Sequence, residues 1–296
     1  MGLASPAVGP QGAVDALFTV GDFIAERGRL PRNPSNPESG VMDYFFWRKH
    51  QRWDDLHHRC CDKGLAKDIA RSLDPRVLAP ETLETIQVAE VKDASALLSR
   101  IGPYLGKSLV MKPAHSNGGI YFLNGDQPDL ERYLDHARKD FFPIARERQY
   151  HGLVPNLIIE QMLVSGNDTV PEDYKFLCIG GEPVICQIDY DRFRGHKRQL
   201  YSAVDWEPLD VVYTYPRGTR SFPKPSLHSK MIEICRNLSA PFDVVRIDLY
   251  ILEDAVYFGE FTFTPDAGLK SFSDEDFDRR LGALLRAARS ESRNAG

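Results

Sequence analysis

Arg246, Asp248, Glu260 and Thr262 are the residues whose types and spacing most directly suggest chemistry. They lie in two runs, Val245-Arg246-Ile247-Asp248-Leu249-Tyr250 and Tyr257-Phe258-Gly259-Glu260-Phe261-Thr262-Phe263-Thr264. Both runs alternate polar and apolar side chains, as half-buried strands do. With Glu253-Asp254 as the turn they predict a hairpin. Residues two apart on a strand share a face, so one guanidinium, two carboxylates and a hydroxyl meet on one side of it. Two buried carboxylates repel, and a divalent cation relieves that repulsion. Few, hard oxygen ligands suit Mg2+, which also holds phosphates, so the pattern is what a nucleoside triphosphate site needs. The structural alternative is a cross-strand pair of Arg246 with Asp248 or Glu260 and no metal, worth at most about 1 kcal/mol when exposed.

Other residues extend this reading. Lys112 ends the apolar run Ser108 to Pro113, where a lysine is a point charge able to reach phosphate oxygens, or a strand-end side chain snorkelling to water. The turn His115-Ser116-Asn117-Gly118-Gly119 follows it, and adjacent glycines let backbone N–H groups approach phosphates closely. Lys175 lies between Tyr174 and Phe176 and so points away from both. Arg192, Arg194, His196, Lys197 and Arg198 form a basic cluster, either a solvated face or a site for an anionic acceptor. Asp189-Tyr190-Asp191 has the spacing of a sugar-nucleotide diphosphate motif but lies away from the hairpin. His57, His58, Cys60 and Cys61 lack the spaced pairs of a zinc site.

These residues need a scaffold, and the composition allows one. The chain has 296 residues, 42% hydrophobic and 27% charged, enough for one large or two medium globular domains. Its net charge of −5 does not favour bulk binding to nucleic acid. No apolar run reaches the roughly 20 residues of a membrane span, and the start lacks a signal-peptide pattern. Five cysteines without a framework read as reduced thiols, and so as a cytoplasmic protein. Helices are expected over Asp15 to Arg27, with apolar Val14, Leu17, Phe18, Phe23 and Ile24, and over 42–72, where Tyr44, Phe45, Phe46, Trp47 and Trp53 are core or acceptor-pocket residues. Further helices fall at Ala94 to Ile101, Asp129 to Lys139, Ser226 to Leu238 and Asp274 to Ala288. Strands fall at Thr85 to Val88, Ser108 to Pro113, Gly118 to Leu123, Leu157 to Leu163, Tyr174 to Ile179 and Pro183 to Asp189, before the closing hairpin. The order predicts an α+β fold with largely antiparallel sheet.

Taken in order, Asp62-Lys63, Val110-Met111-Lys112-Pro113 with His115 to Gly119, Ile158-Ile159-Glu160, Asp173-Tyr174-Lys175-Phe176, Asp191-Arg192, the Val245 run and Phe258 to Pro265 resemble the ATP-grasp superfamily, in its TupA-like (teichuronopeptide biosynthesis-like) branch. The resemblance implies two α+β subdomains gripping ATP between antiparallel sheets. It places a helical N-terminal region at 1–105, a small subdomain at 106–164 and a large subdomain with the metal hairpin at 165–296. It implies that Lys112, Lys175, Ser116, Asn117, Gly118 and Gly119 contact the triphosphate. Glu160, Gln161, Met162 and Leu163 would lie at the adenine hinge. Asp248, Glu260 and Thr262 would hold Mg2+, or Mn2+ in its place, and Thr262 stands where many members of the superfamily have asparagine. Arg246, with Lys175 and Arg192, would serve catalysis, and Asp266 would orient a substrate.

The implied activity is ADP-forming carboxylate–amine ligation. A carboxylate becomes an acyl-phosphate, which an amine converts to an amide. The expected partners are a small-molecule acid and amine (amino acid, uronic acid or peptide), in cell-surface polysaccharide modification or small-peptide biosynthesis, with no nucleic acid and no membrane insertion and with a homo-oligomer left open. The rival readings are an ATP-dependent small-molecule kinase and a glycan-biosynthesis module without turnover. No residue stands out as the base for the amine.

Overall fold

The computed structural model describes residues 9–116, 118–125, 129–164, 171–191 and 195–294. The chain starts with helices α1 (Pro10–Arg27), α2 (Val41–Arg48), α3 (Asp55–Cys61) and α4 (Leu65–Leu73). Strand β1 (Thr82–Gln87), helix α5 (Ala94–Ile101), strands β2 (Leu109–Pro113) and β3 (Tyr121–Phe122), helices α6 (Leu130–Ala137) and α7 (Phe142–Ala145) and strand β4 (Asn156–Gln161) follow. Strands β5 (Asp173–Ile179), β6 (Glu182–Tyr190) and β7 (Lys197–Ser202), helix α8 (His228–Ser239), strands β8 (Val244–Leu252) and β9 (Ala255–Thr262) and helix α9 (Glu275–Asn294) complete it.

Two antiparallel sheets result, ordered β1-β4-β2-β3 and β7-β6-β5-β8-β9. In the smaller sheet, Ile86, Met111, Leu157 and Ile159 point to one face and pack against Leu97 and Ile101 of α5 and Leu134 and Ala137 of α6. The larger sheet buries both faces. Phe176, Cys186, Ile188, Ile247 and Leu249 pack against α8 and α4. On the opposite face one half, Leu177, Ile179, Ile185, Leu200 and Val244, is covered by α2 and α9. The other half of that face is polar and carries the hairpin carboxylates. The segment after α4 joins the sheets: Leu78 adds to the edge of β9, with its N–H donating to Val256 O and its carbonyl accepting from Phe258 N, before the chain enters β1.

Several sequence expectations change here. The smaller sheet takes β1 and its covering helix α5 from before residue 106, so the expected boundary cuts through this unit. The 42–72 helix is three pieces, each restarted by its own cap. Asp54 accepts from His57 N, and Asp62 accepts from Gly64 N and Leu65 N. The strand expected from Gly118 is only Tyr121–Phe122, because Gly118 and Gly119 both hold positive φ, 73° and 65°. Helix α1 forms, but Val14, Leu17, Phe18 and Ile24 are exposed while Asp15, Ala16, Thr19 and Phe23 face inward. Asp15 turns the helix this way because Arg148 binds its carboxylate at 2.6 Å. The aromatics Tyr44, Phe45, Phe46, Trp47 and Trp53 are core, and all five cysteines are buried thiols. No helix of the described residues is long and apolar enough to cross a membrane.

Candidate active site

The Glu253-Asp254 turn alone would pair Asp248 with Gly259 and send Glu260 to the other face, but a bulge at Gly259 shifts the register, so that Arg246 pairs with Thr262 and Asp248 with Glu260 and all four side chains share one face. The Arg246 guanidinium gathers the other three. Its Nε donates to Asp248 Oδ1 at 2.7 Å, and its Nη2 donates to Asp248 Oδ2 at 2.9 Å, Glu260 Oε1 at 3.2 Å and Thr262 Oγ1 at 3.0 Å. Strand β5 lies next to β8, with Lys175 opposite Asp248. The Lys175 ammonium bonds Asp248 Oδ2 and lies 2.6 Å from Asp173 Oδ2. Burial works to raise the Asp248 pKa, but Arg246 and Lys175 outweigh it and hold the group at about 2. Burial likewise works to lower Lys175 and Arg246, and the carboxylates around them raise both.

The smaller sheet supplies a second charged face. Lys112 and Glu160 project together from β2 and β4, since Val110 pairs with Glu160 and Lys112 with Ile158. Glu160 is 3% exposed and lies between two ammonium groups: Lys112 on Oε1, and Lys67 on Oε2 at 2.6 Å. Burial pushes Glu160 up, and the two lysines more than reverse this. Lys67 also donates to Pro80 O at 2.9 Å and Thr82 Oγ1 at 2.7 Å. Of the hinge residues, Gln161 ends β4, and Met162 and Leu163 lie just beyond it, with Met162 N donating to Ser108 O.

The glycine turn is built for close approach. A Cβ on Gly119 would stand 3.0 Å from the His136 ring and 3.1 Å from Pro113. Ser116 is buried, and its carbonyl accepts from the Lys63 ammonium. Lys63 is a residue that the sequence reading quoted but gave no task. Burial lowers its pKa, against the charge of Glu260 and together with that of Lys112. Lys67 and Asp173 were missed in the same way, because each is significant only for the partner it reaches across the fold. Asn117, Arg192 and Arg194 lie outside the described residues. Of the basic cluster, Arg198 is a structural partner rather than an acceptor site: it binds Asp189 by Nε at 2.6 Å and Nη2 at 3.0 Å and is 6% exposed. This pairing also occupies the first aspartate of the Asp189-Tyr190-Asp191 motif.

The donor set can be tested for a divalent cation. Asp248 Oδ2, Glu260 Oε1 and Thr262 Oγ1 all lie within 3.2 Å of a single nitrogen, Arg246 Nη2. Two carboxylates and a hydroxyl converging on one positive point form the hard-oxygen set that Mg2+ takes with phosphates and water completing its shell, so the residues fit. Among the described residues no cluster of three or more His, Cys, Asp or Glu forms a self-sufficient metal site, at His57, His58, Cys60 and Cys61 or elsewhere. A cavity of about 750 Å³ opens between α3, α4 and the Thr85–Ile158 face of the smaller sheet. Lys67 borders it, but Lys175, Arg246, Asp248 and Glu260 do not, so the convergent charges rather than this volume mark the chemistry.

The TupA-like ATP-grasp family model matches residues 76–286. No curated protein matches the chain. Solved structures similar to it include the D-alanine–D-alanine ligase of Helicobacter pylori, at 16% identity over 77% of this chain and 60% of that one, with a TM-score of 0.41. The D-alanine–D-alanine ligase of Bacillus anthracis is 15% identical over 80% and 69%, with a TM-score of 0.41. The ATP-grasp ligase PsnB with a minimal precursor is 12% identical over 79% and 63%, with a TM-score of 0.42. The chain thus spans 60% to 69% of the length of these three.

Proposed function

Because the chain belongs to the TupA-like ATP-grasp family, we propose that it is an ATP-dependent, ADP-forming carboxylate–amine ligase. The observation that carries this reading is the convergence of Asp248, Glu260 and Thr262 on one positive point, with Lys175 beside them and Lys63 on the Ser116 carbonyl at the glycine turn. Asp248, Glu260 and Thr262 are the residues to hold Mg2+, whose chemistry is to neutralise the triphosphate and polarise its γ-phosphoryl group.

This chain's own groups do the rest. Lys63, Lys112 and Lys175 supply point charges to the phosphates from both sheets, and the Ser116–Gly119 turn, with Asn117, brings backbone N–H groups to them. Glu160 fixes Lys112 at the end of β4, where Gln161, Met162 and Leu163 present backbone groups to the adenine. Arg246, released from Glu260 and Thr262, turns to the acyl-phosphate and stabilises the charge on its phosphoryl oxygens. Arg192 is a further candidate for catalysis in this reading. The expected acids are amino acids, peptides or uronic acids, which fits a cytoplasmic step of glycan or small-peptide assembly.

The test is release of ADP and phosphate from the purified protein with MgATP, across candidate acids with and without amines. Release that needs both an acid and an amine establishes the ligase. Release with a hydroxylated compound alone replaces it with a kinase. Tight MgATP binding without release under any pair removes turnover from the reading.

A further inference from the structure

Beyond Thr262, the row of Glu260 and Thr262 continues to Thr264, which is 2% exposed and belongs to a separate polar cluster. Thr264 Oγ1 donates to Glu147 Oε1 at 2.5 Å. Gln149 Nε2 bonds to both, Glu147 Oε1 at 3.1 Å and Thr264 Oγ1 at 2.5 Å. Glu147 is only partly buried. Burial nevertheless raises its pKa, against the hydrogen bond from Thr264 and the charge of Lys49. Lys49 is wholly buried at the end of α2, and its backbone carbonyl accepts from Arg148 N at 2.9 Å.

Two features of this cluster stand out: buried polar atoms without a hydrogen-bond partner among the described residues, the Lys49 ammonium as well as Gln149 Oε1, and a strained loop beside them. Gln149 is 1% exposed, and its Oε1 has no hydrogen-bond partner among the described residues, although its amide nitrogen is fully engaged. A buried acceptor left in this state is unfavourable, and a ligand N–H would satisfy it. The loop just past Thr264 is strained. Asp266 and Ala267 hold φ of 49° and 54° without being glycines, and Asp266 Oδ2 accepts from Thr214, itself at φ 62°. Consecutive left-handed residues of this kind persist where the surroundings force them, commonly at ligand sites. Here Gly268 forces them: a Cβ on it would meet Phe46 N at 2.3 Å, so the loop is clamped on α2 and the exposed Asp266 carboxylate is held on Glu147's side. Thr264 stands two residues beyond Thr262, so this cluster adjoins the end of the hairpin's polar row.

We propose that Glu147, with Asp266 beside it, binds the ammonium group of the amine substrate and takes its proton. The proposal rests on the ligase reading. Glu147 accepts one proton from the ammonium and becomes a carboxylic acid, leaving a neutral amine. The amine lone pair forms the C–N bond at the acyl-phosphate carbonyl carbon, and the bond from that carbon to the phosphate oxygen breaks. The departing phosphate takes the second N–H proton, and Glu147 returns its proton to solvent. Gln149 and Thr264 are positioning residues that orient the Glu147 carboxylate, and Lys49 opposes the effect of burial on its charge.

The test titrates the whole protein, saturated with a magnesium complex of a non-hydrolysable ATP analogue, with the twenty α-amino acids, short peptides and aliphatic diamines, read by calorimetry. At least one amine should bind, and its N-acetylated counterpart should not. E147Q should weaken it about tenfold or more, the size expected for losing a hydrogen bond to a charged group. D266N should weaken it less, and neither variant should change nucleotide affinity. Equal affinity in wild type and E147Q overturns the site, as does failure of every amine to bind. ADP release that ignores amines altogether would sink the ligase reading while leaving an E147Q-sensitive binding result intact.

Discussion

Arg246 grips Asp248 with two nitrogens, Nε on Oδ1 at 2.7 Å and Nη2 on Oδ2 at 2.9 Å, although the two residues are only two apart on β8. Asp248 is 1% exposed and also carries the Lys175 ammonium, so it is the anion on which two buried cations depend. Asp248→Ala should therefore destabilise the fold by about 3 kcal/mol, the low end for breaking a buried ion pair because Asp173 and Glu260 still face the two cations, as well as abolish turnover. Urea denaturation checks the first effect. An unchanged midpoint would mean that Arg246 and Lys175 find water.

Glu260 is the cleaner probe of the metal reading, because a third of its side chain is exposed and, among the described residues, Arg246 Nη2 and Thr262 are its hydrogen-bond partners. Glu260→Gln should leave the melting temperature within a few degrees and lower MgATP turnover roughly 100- to 1,000-fold, the scale of losing a charge-stabilising group at a phosphoryl site. Raising the Mg2+ concentration should recover part of the loss. Turnover that is unaffected by the substitution would remove Glu260 from the ligand set.

Glu160 should matter mostly to the smaller sheet. Glu160→Gln leaves Lys67 and Lys112 without their shared anion in a buried setting, so a loss of about 2–4 kcal/mol is expected. Lys67→Met removes one of these charges together with Glu160's second partner. Combined with Glu160→Gln it should cost less than the sum of the two single changes. A double-mutant cycle measures that coupling, and additivity would show that the three groups do not act together.

Acid should weaken the protein in two stages. His50 accepts or donates at Thr19 Oγ1 over 3.0 Å, and burial, reinforced by Lys49, lowers its pKa to about 3 from 6.5. The unfolded chain binds that proton first, so stability falls as pH drops below about 6.5 toward 3. Asp248, held at about 2, adds stability that is complete above about pH 4 and lost as pH falls toward 2, on the order of 2 kcal/mol. His50→Gln should flatten the first stage and leave the second. A pH series of melting temperatures distinguishes them.

Gly268 is the position where a side chain cannot be accommodated. Its φ is 66°, and an added Cβ would overlap the Phe45–Phe46 backbone. Gly268→Ala should cost more than about 2 kcal/mol, since it adds overlap to a left-handed residue. Asp266→Gly should act in the opposite direction, relieving a strained φ of 49° and gaining about 1 kcal/mol while lowering turnover. Chemical denaturation of the pair would reveal whether the clamp on α2 holds this loop.

The alternating runs around Asp248 and Glu260 were enough to predict the hairpin and its two-residue turn, because strand periodicity is local, but the shared face of Arg246, Asp248, Glu260 and Thr262 depends on a bulge at Gly259, since the turn length alone would set Asp248 opposite Gly259. The ranges expected for α5 and α6 were likewise right to within a residue or two, and the structure caps these helices with Asp93 and Asp129. Which side of a helix faces inward was decided elsewhere. Helix α1 exposes its apolar side chains because Arg148, 133 positions away, binds Asp15. Tertiary packing also assigned the charges. Arg198 belonged to a basic cluster in the sequence, but in the fold Asp189 takes two of its nitrogens, and Glu160, expected at a hinge, is held by Lys67 reaching across from α4. The cluster of Lys49, Glu147, Gln149 and Thr264 had no signal in the sequence, since its members are unremarkable one by one and meet only where α2, the 147–150 turn and the end of β9 converge. Periodicity fixes the face on which a side chain lies. Only the folded chain fixes which charge stands opposite it, because ion pairs and hydrogen bonds depend on distances that sequence separation does not set.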